Sequence, residues 1–256
     1  VSDDLIKTHE QIETMRDGGK RTARVLSGLV KATRPGMATS DYENLAKQLM
    51  EQENLTSAVL GYQGDGDFAP FPASLCISVN EEVVHGIPTE YVLKEGDTVG
   101  IDVTVFYHGL VLDTAATVAV GAVENRVKKL LDDTEKSLYL GIKAVKDGVT
   151  TGDVGNKIDS FLEPKGYGVV RELVGHGVGE SMHEPPNVPN YGEPGSGARL
   201  RAGMTITIEP MVTLGDWHIS IQKGEWPVRT ADGSHAAHFE HTVLVTQNGA
   251  EILTKE

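Results

Sequence analysis

The sequence predicts one α/β (α+β) domain over residues 1–256, a largely antiparallel sheet backed by helices and built from two similar halves, about 1–122 and 123–256. Three observations predict it. Segments of helical spacing are followed by segments of strand spacing, and the same order then returns. Short motifs recur between the halves in matching order. The composition, 39% hydrophobic and 23% charged, suits a chain with a real core and excludes a disordered or collagen-like one.

The first element is a long helix from about Leu5 to Val30, carried by Ile12, Met15, Leu26 and Leu29 and closed by Pro35-Gly36. Gly18-Gly19 weakens its middle. Ser40 with Glu43 has the form of a capping box, and Tyr42, Leu45, Ala46 and Leu49 then follow one helix face. Residues 61–72, GYQGDGDFAPFP, hold too much Gly and Pro for regular structure and form a loop into the strand SLCISVN. DTVGIDVTVFY and LVLDTAATVAV are strands joined by a His108-Gly109 hairpin turn. Helical spacing resumes at Val127, Leu130, Leu131, Leu138 and Ile142, and again at Val154, Ile158, Phe161 and Leu162. MTITIEP and EHTVLVT supply the last strands.

Between the halves, LKEGDTVGID (93–102) aligns without a gap to LRAGMTITIE (200–209), sharing Leu, Gly, Thr, an aliphatic, Ile and a final acid. GMATSD at Gly36 pairs with GVTTGD at Gly148, and Val84-His85-Gly86-Ile87 resembles Gly175-His176-Gly177-Val178. Asp113 and Glu240 each stand at the head of a closing strand run. Each half thus delivers a histidine and two acids in corresponding places, and a pseudo-twofold arrangement would converge them on one centre.

Charge and cysteine content narrow the function. With 37 acidic and 23 basic residues the formal charge is -14, which repels a phosphate backbone or an anionic membrane surface and excludes nucleic acid as substrate. The single cysteine, Cys76, forms no internal disulfide, no run reaches the length of a membrane span, and VSDDLIKTHEQ lacks a signal-peptide pattern. A cytoplasmic protein with no membrane partner is expected.

Asp102 and Asp113 flank the short hairpin and stand approximately opposite one another. Like charges placed so, with Cβ atoms about 5 Å apart, destabilise a sheet unless a cation sits between them. Glu209 ends a strand whose Thr205 and Thr207 share its face while Ile206 and Ile208 point to the core. Each pair of carboxylates about 5 Å apart repels by roughly 3 kcal/mol at an effective dielectric near 20, so a convergent set of four is untenable bare. Two divalent cations neutralise it, and a neutral His176 can complete one shell. Oxygen-rich ligation with one imidazole suits Mn, Fe(II), Co or Zn, and a pair of such ions serves metal-assisted hydrolysis.

The motifs NEEVVHGIP, GIDVTVFYHGLVLDT, GHGVGESMHEPP, TITIEPMV and FEHTVLVT cover nearly the whole chain. In them the sequence resembles the type I methionine aminopeptidases, members of the pita-bread metallopeptidase family. The resemblance implies a curved sheet with a two-metal site at its concave centre and removal of the N-terminal methionine from nascent proteins and peptides with a small second residue. It implies Asp102, Asp113, His176, Glu209 and Glu240 as ligands of two divalent ions, Glu209 also as general base. His183 would contact the scissile carbonyl and His85 would assist at the peptide nitrogen. Repeat symmetry alone would make His85 a sixth ligand, whereas the resemblance leaves it unmetallated. By the same alignment Tyr62, Phe71, Cys76, Met182 and Trp226 enclose the methionine side chain, with His85 and His183 at the substrate. Nascent chains, contact with the ribosome and a monomeric enzyme complete what it implies.

Two departures from the family pattern stand out. The family's G-Y-H-G-Y-P is replaced by GYQGDGDFAPFP, with Gln63 for the expected His and an insertion over 64–70 that bears on pocket shape. VLDTAAT stands where Gly-Asp-Thr-Ser is common, which alters packing around Asp113 and keeps the acid. Other readings are an Xaa-Pro aminopeptidase or dipeptidase of the same fold, and a catalytically silent binding module. A mononuclear histidine site from His235, His238 and His241 is disfavoured, because alternation turns His238 away from the other two and no HExxH helix is present.

Overall fold

The computed structural model describes residues 5–64 and 68–256. Its spine is the hairpin of strands Thr98–Tyr107 and Leu110–Ala119, paired in unbroken register from Thr98↔Ala119 to Tyr107↔Leu110. His108 (φ 48°) and Gly109 (φ 82°) both take positive φ, the two-residue turn whose twist matches that of its strands. Among the described residues the hairpin belongs to a nine-stranded sheet in which every pairing is antiparallel. Thr56–Ser57 and Cys76–Val79 flank its first strand. Beyond its second strand come Glu240–Val245, Thr205–Ile208, Gly175–Gly177 and Glu184–Val188 in turn, with Ala250–Ile252 also on Glu240–Val245. Two three-stranded sheets, one containing Ala236–His238 and Met211–Thr213 and the other Glu82–Val84 and Val228–Thr230, complete the strands among the described residues.

Among the described residues four α-helices back the sheet: α1 (His9–Ala32), α2 (Thr39–Gln52), α3 (Asn125–Ala144) and α4 (Thr151–Leu162). From α1 and α2, Met15, Val25, Leu29, Tyr42 and Ala46 bury against Ile101, Val103, Val105 and Leu112. From α3 and α4, Leu130, Leu138, Ile142, Val154 and Ile158 bury against Ile206, Ile208 and Val243. At about 1.5–3 kcal/mol for each buried Val, Leu, Ile or Met, these two cores hold one sheet face and leave the other to polar residues.

Three local details differ from expectation. The first helix starts at His9, not Leu5, because Thr8 caps it: Thr8 Oγ1 accepts the Gln11 N–H at 3.2 Å and Gln11 Oε1 accepts the Thr8 N–H at 2.8 Å. Gly18-Gly19 is a seat, not a weak point. A Cβ at Gly18 would stand 2.8 Å from Tyr107 Cδ1, and one at Gly19 2.3 Å from the Leu253 carbonyl oxygen, so their missing side chains let α1 lie on the sheet. The second helix begins one residue before Ser40, with Asp41 accepting the Ala38 N–H at 3.0 Å. Glu43 is drawn off to Ser74, whose N–H and hydroxyl it accepts at 2.7 and 2.8 Å.

The same bonds recur in both halves. Gly36 N–H donates to Leu93 O (2.8 Å) as Gly148 N–H does to Leu200 O (2.9 Å), and Gly96 N–H donates to Val120 O (3.0 Å) as Gly203 N–H does to Val245 O (2.9 Å). Isolated bridges join Ala38 to Val92 and Thr150 to Arg199.

Candidate active site

Strand alternation sends Ile101, Val103 and Val105 into the helix-backed core and leaves Asp102 and Thr104 on the opposite face. Asp102 stands opposite Cys76 on one neighbouring strand and Ala115 on the other, and Ala115 stands opposite Glu240. Cys76, Asp102, Ala115 and Glu240 therefore form a row across four strands. Asp113 pairs with Thr104, so Asp102 and Asp113 are diagonal neighbours on one face, not directly opposed residues. The Asp113 carboxyl lies within hydrogen-bonding reach of both Asp102 and Glu240 and accepts the Thr104 hydroxyl at 2.9 Å.

Glu209 and His176 come from the second half. The Thr207 hydroxyl donates to Glu209 Oε1 at 2.7 Å and accepts the His176 N–H at 3.0 Å. His176 Nδ1 is 2.9 Å from Gly177 O, a contact that places the ring proton on Nδ1 and leaves the Nε2 lone pair free. That Nε2 is 3.5 Å from Glu209 Oε1. Ligand atoms of Asp113, His176 and Glu240 all lie within 4.8 Å of one another.

The electrostatics of the cluster ask for cations. Burial pushes the Asp113 carboxyl up to about 6 and that of Glu209 to about 8. Burial and then the neighbouring Asp113 charge hold Asp102 and Glu240 well above the carboxylate range. Asp102 Oδ1 and Glu240 Oε1 are shielded from solvent and have no hydrogen-bond partner among the described residues. Shielded oxygens without donors, arrayed beside like charges and one imidazole, fit divalent metal ions.

The cluster opens into a cavity of about 1040 Å³. Tyr62, Phe71, Cys76, Met182 and Trp226 line its apolar end and pack together with Val59 and Ala73. Trp226 lies 5.0 Å from the Phe68 ring and edge-on to Phe71 at 5.4 Å, and its Nε1–H donates to Ala69 O at 2.8 Å. The later part of the insertion thus closes onto the indole; its centre, residues 65–67, lies outside the described residues.

His85 and His183 line the same cavity. His85 follows strand Glu82–Val84 at φ 60°, and burial, with a smaller effect of His183, lowers its imidazole to about 4. The His183 ring stands edge-on to His176 at 4.5 Å, with Nδ1 3.3 Å from the Tyr62 hydroxyl. The residues to which the resemblance gave ligand, catalytic or pocket roles all line this one cavity.

Sequence reasoning passed over Thr104, gave Thr207 no role beyond sharing the face of Glu209, and weighed His238 only in the disfavoured histidine site. His238 is buried, lines the cavity and places Nε2 3.8 Å from Glu209 Oε2. Its signal was its spacing, two residues before Glu240, which in an extended segment turns both side chains to the same side. His235 and His241 do point elsewhere, to the hydroxyls of Thr98 (3.2 Å) and Thr254 (3.0 Å).

The sequence pattern of metallopeptidase family M24 matches residues 13–247. The methionine aminopeptidase of Clostridium acetobutylicum is 43% identical over 251 residues, covering 98% of each chain. The crystal structure of methionine aminopeptidase from Thermotoga maritima matches with a TM-score of 0.93 and 46% identity over 98% of this chain and 99% of that one. Prolidase from Pyrococcus furiosus shares the fold, with a TM-score of 0.78 at 23% identity over 98% of this chain and 66% of that one. With its pita-bread architecture and a pattern match spanning most of its length, this chain belongs to metallopeptidase family M24.

Proposed function

We propose that the chain is a methionine aminopeptidase, which hydrolyses the first peptide bond of nascent proteins and peptides that begin with methionine and continue with a small residue. One observation carries the reading: a single cavity joins the acid and imidazole cluster to a soft apolar pocket, with Cys76 directly opposite Asp102 at the junction. Sulfur and aromatic groups suit a thioether, and a methionine side chain seated there places its own α-amine and first carbonyl beside the acids.

Asp102, Asp113, His176, Glu209 and Glu240 would hold two divalent ions, Co, Mn, Fe(II) or Zn, which supply Lewis acidity and an acidified water. The chain's own groups do the rest. Glu209, with Oε1 fixed by Thr207, accepts the proton of the attacking water. His183 donates to the carbonyl oxygen as it gains charge. His85, kept neutral, offers an N–H to the departing amide nitrogen.

In this reading the enzyme is a cytoplasmic monomer with a reduced Cys76, and it meets its substrates as they leave the ribosome. The halves 1–122 and 123–256 are duplicates, a view supported by their recurring backbone bonds. Hydrolysis of Met-Ala-Ser and Ala-Pro-Ala with added Mn(II) or Co(II) tests the function. Cleavage of the first alone is expected. Cleavage of the second alone supports an Xaa-Pro peptidase, and cleavage of neither supports a binding module.

A further inference from the structure

We propose that His238 is a positioning residue for Glu209: its Nε2–H donates to Glu209 Oε2 and, with the Thr207 hydroxyl on Oε1, fixes the carboxylate at two points. The proposal rests on Glu209 being the proton acceptor of the peptidase reaction. Three observations lead to it. The imidazole Nε2 is shielded from solvent and has no hydrogen-bond partner among the described residues, although buried polar groups are as a rule hydrogen-bonded. The Glu209 oxygen that Thr207 leaves unengaged is the one that faces it, at 3.8 Å. Closing that gap to a hydrogen bond takes a shift of about 1 Å, within reach of the Glu209 side-chain torsions.

The third observation is the rigidity of the platform. The His238 N–H donates to Thr117 Oγ1 and its carbonyl accepts the same hydroxyl, both at 2.9 Å. On its other side His238 pairs with Met211, two residues beyond Glu209. Its backbone is therefore tied to the strand that carries Asp113 and to the segment that carries Glu209. The ring lines the cavity that His85 and Glu209 also line, where a packing residue needs no nitrogen.

The test compares wild type, His238→Ala and His238→Gln in Mn(II)-dependent hydrolysis of Met-Ala-Ser and in calorimetric titration of metal-free protein with Mn(II). Loss of such an outer partner costs about 10-fold or more in kcat with KM unchanged, and about 10-fold in Mn(II) affinity, in His238→Ala. His238→Gln, which keeps an N–H donor, returns both to within about 3-fold of wild type. Wild-type kcat and affinity in His238→Ala overturn the proposal, as does an equal loss in a folded His238→Gln. If His238→Ala does not fold, His238→Met replaces it as the donor-free variant. A wild type inactive on Met-Ala-Ser defeats the peptidase reading instead, and the Mn(II) affinity series still decides the role of His238.

Discussion

Asp102 and Glu240 face the same residue, Ala115, from its two sides. Strand spacing puts their Cα atoms about 10 Å apart, and only a methyl group stands between them. Into that space leans Asp113, two residues earlier on the strand of Ala115 and in reach of both acids. The small side chain at 115 is what allows three carboxyls to converge.

Ala115→Leu therefore fills the place where the acids meet. The added carbons cost about 1–3 kcal/mol of stability, which leaves the fold intact, while Mn(II) affinity and peptidase activity are expected to fall at least about 100-fold. Calorimetric titration with Mn(II), with circular dichroism as a control for folding, checks this. Unchanged affinity would mean that the ions bind away from this row.

Without metal, stability should fall as pH rises above about 6.5. The cluster carboxyls all have folded values above their ordinary range, about 6 for Asp113 and about 8 for Glu209, with burial and the Asp113 charge holding Asp102 and Glu240 well above it. Their contribution is present below about 4 and is lost as pH rises through those values. His85, His176 and His241, held at about 4, and His238, at about 3, act in the opposite sense. Their contribution is present above about 6.5 and is lost on acidification. Above about 6.5 only the carboxyls act, with Glu209 alone worth about 2 kcal/mol by pH 8. A falling Tm between pH 6.5 and 8.5 in chelator, absent with Mn(II), is expected, because metal binds the charged forms. Parallel curves with and without metal would contradict it.

Gly19→Ala gives a prediction of opposite sign to helix propensity. In an open helix the change stabilises by about 1 kcal/mol. Here the new methyl meets the Leu253 carbonyl, so a loss of about 1–3 kcal/mol in urea unfolding is expected. A gain would show that α1 does not rest on the sheet there.

Trp226→Ala removes the indole that meets Phe68, Phe71 and the Ala69 carbonyl. Binding lost equally from ground and transition states raises KM, so KM for Met-Ala-Ser should rise by about 10-fold with kcat changed much less. Steady-state kinetics decide the point, and an unchanged KM would remove Trp226 from the pocket.

The hairpin was legible because alternation and a two-residue turn act locally, and the acids were legible because charges inside apolar strands demand a partner. What escaped depends on distant contacts. Glu43 looks like a cap until Ser74, 31 residues on, competes for it. Gly18-Gly19 looks weak until Tyr107 and Leu253 arrive against it. His238 was compared with its neighbouring histidines when the informative comparison was with Glu240, and its relation to Glu209 exists only once the strands of two sheets meet.

The central claim is that acids from both halves and His176 hold a pair of ions. Crystals soaked in Mn(II) and measured at the manganese edge test it most directly. Two anomalous peaks within ligand distance of Asp102, Asp113, His176, Glu209 and Glu240 are the expected result. A single peak, or peaks bound to other residues, would contradict it.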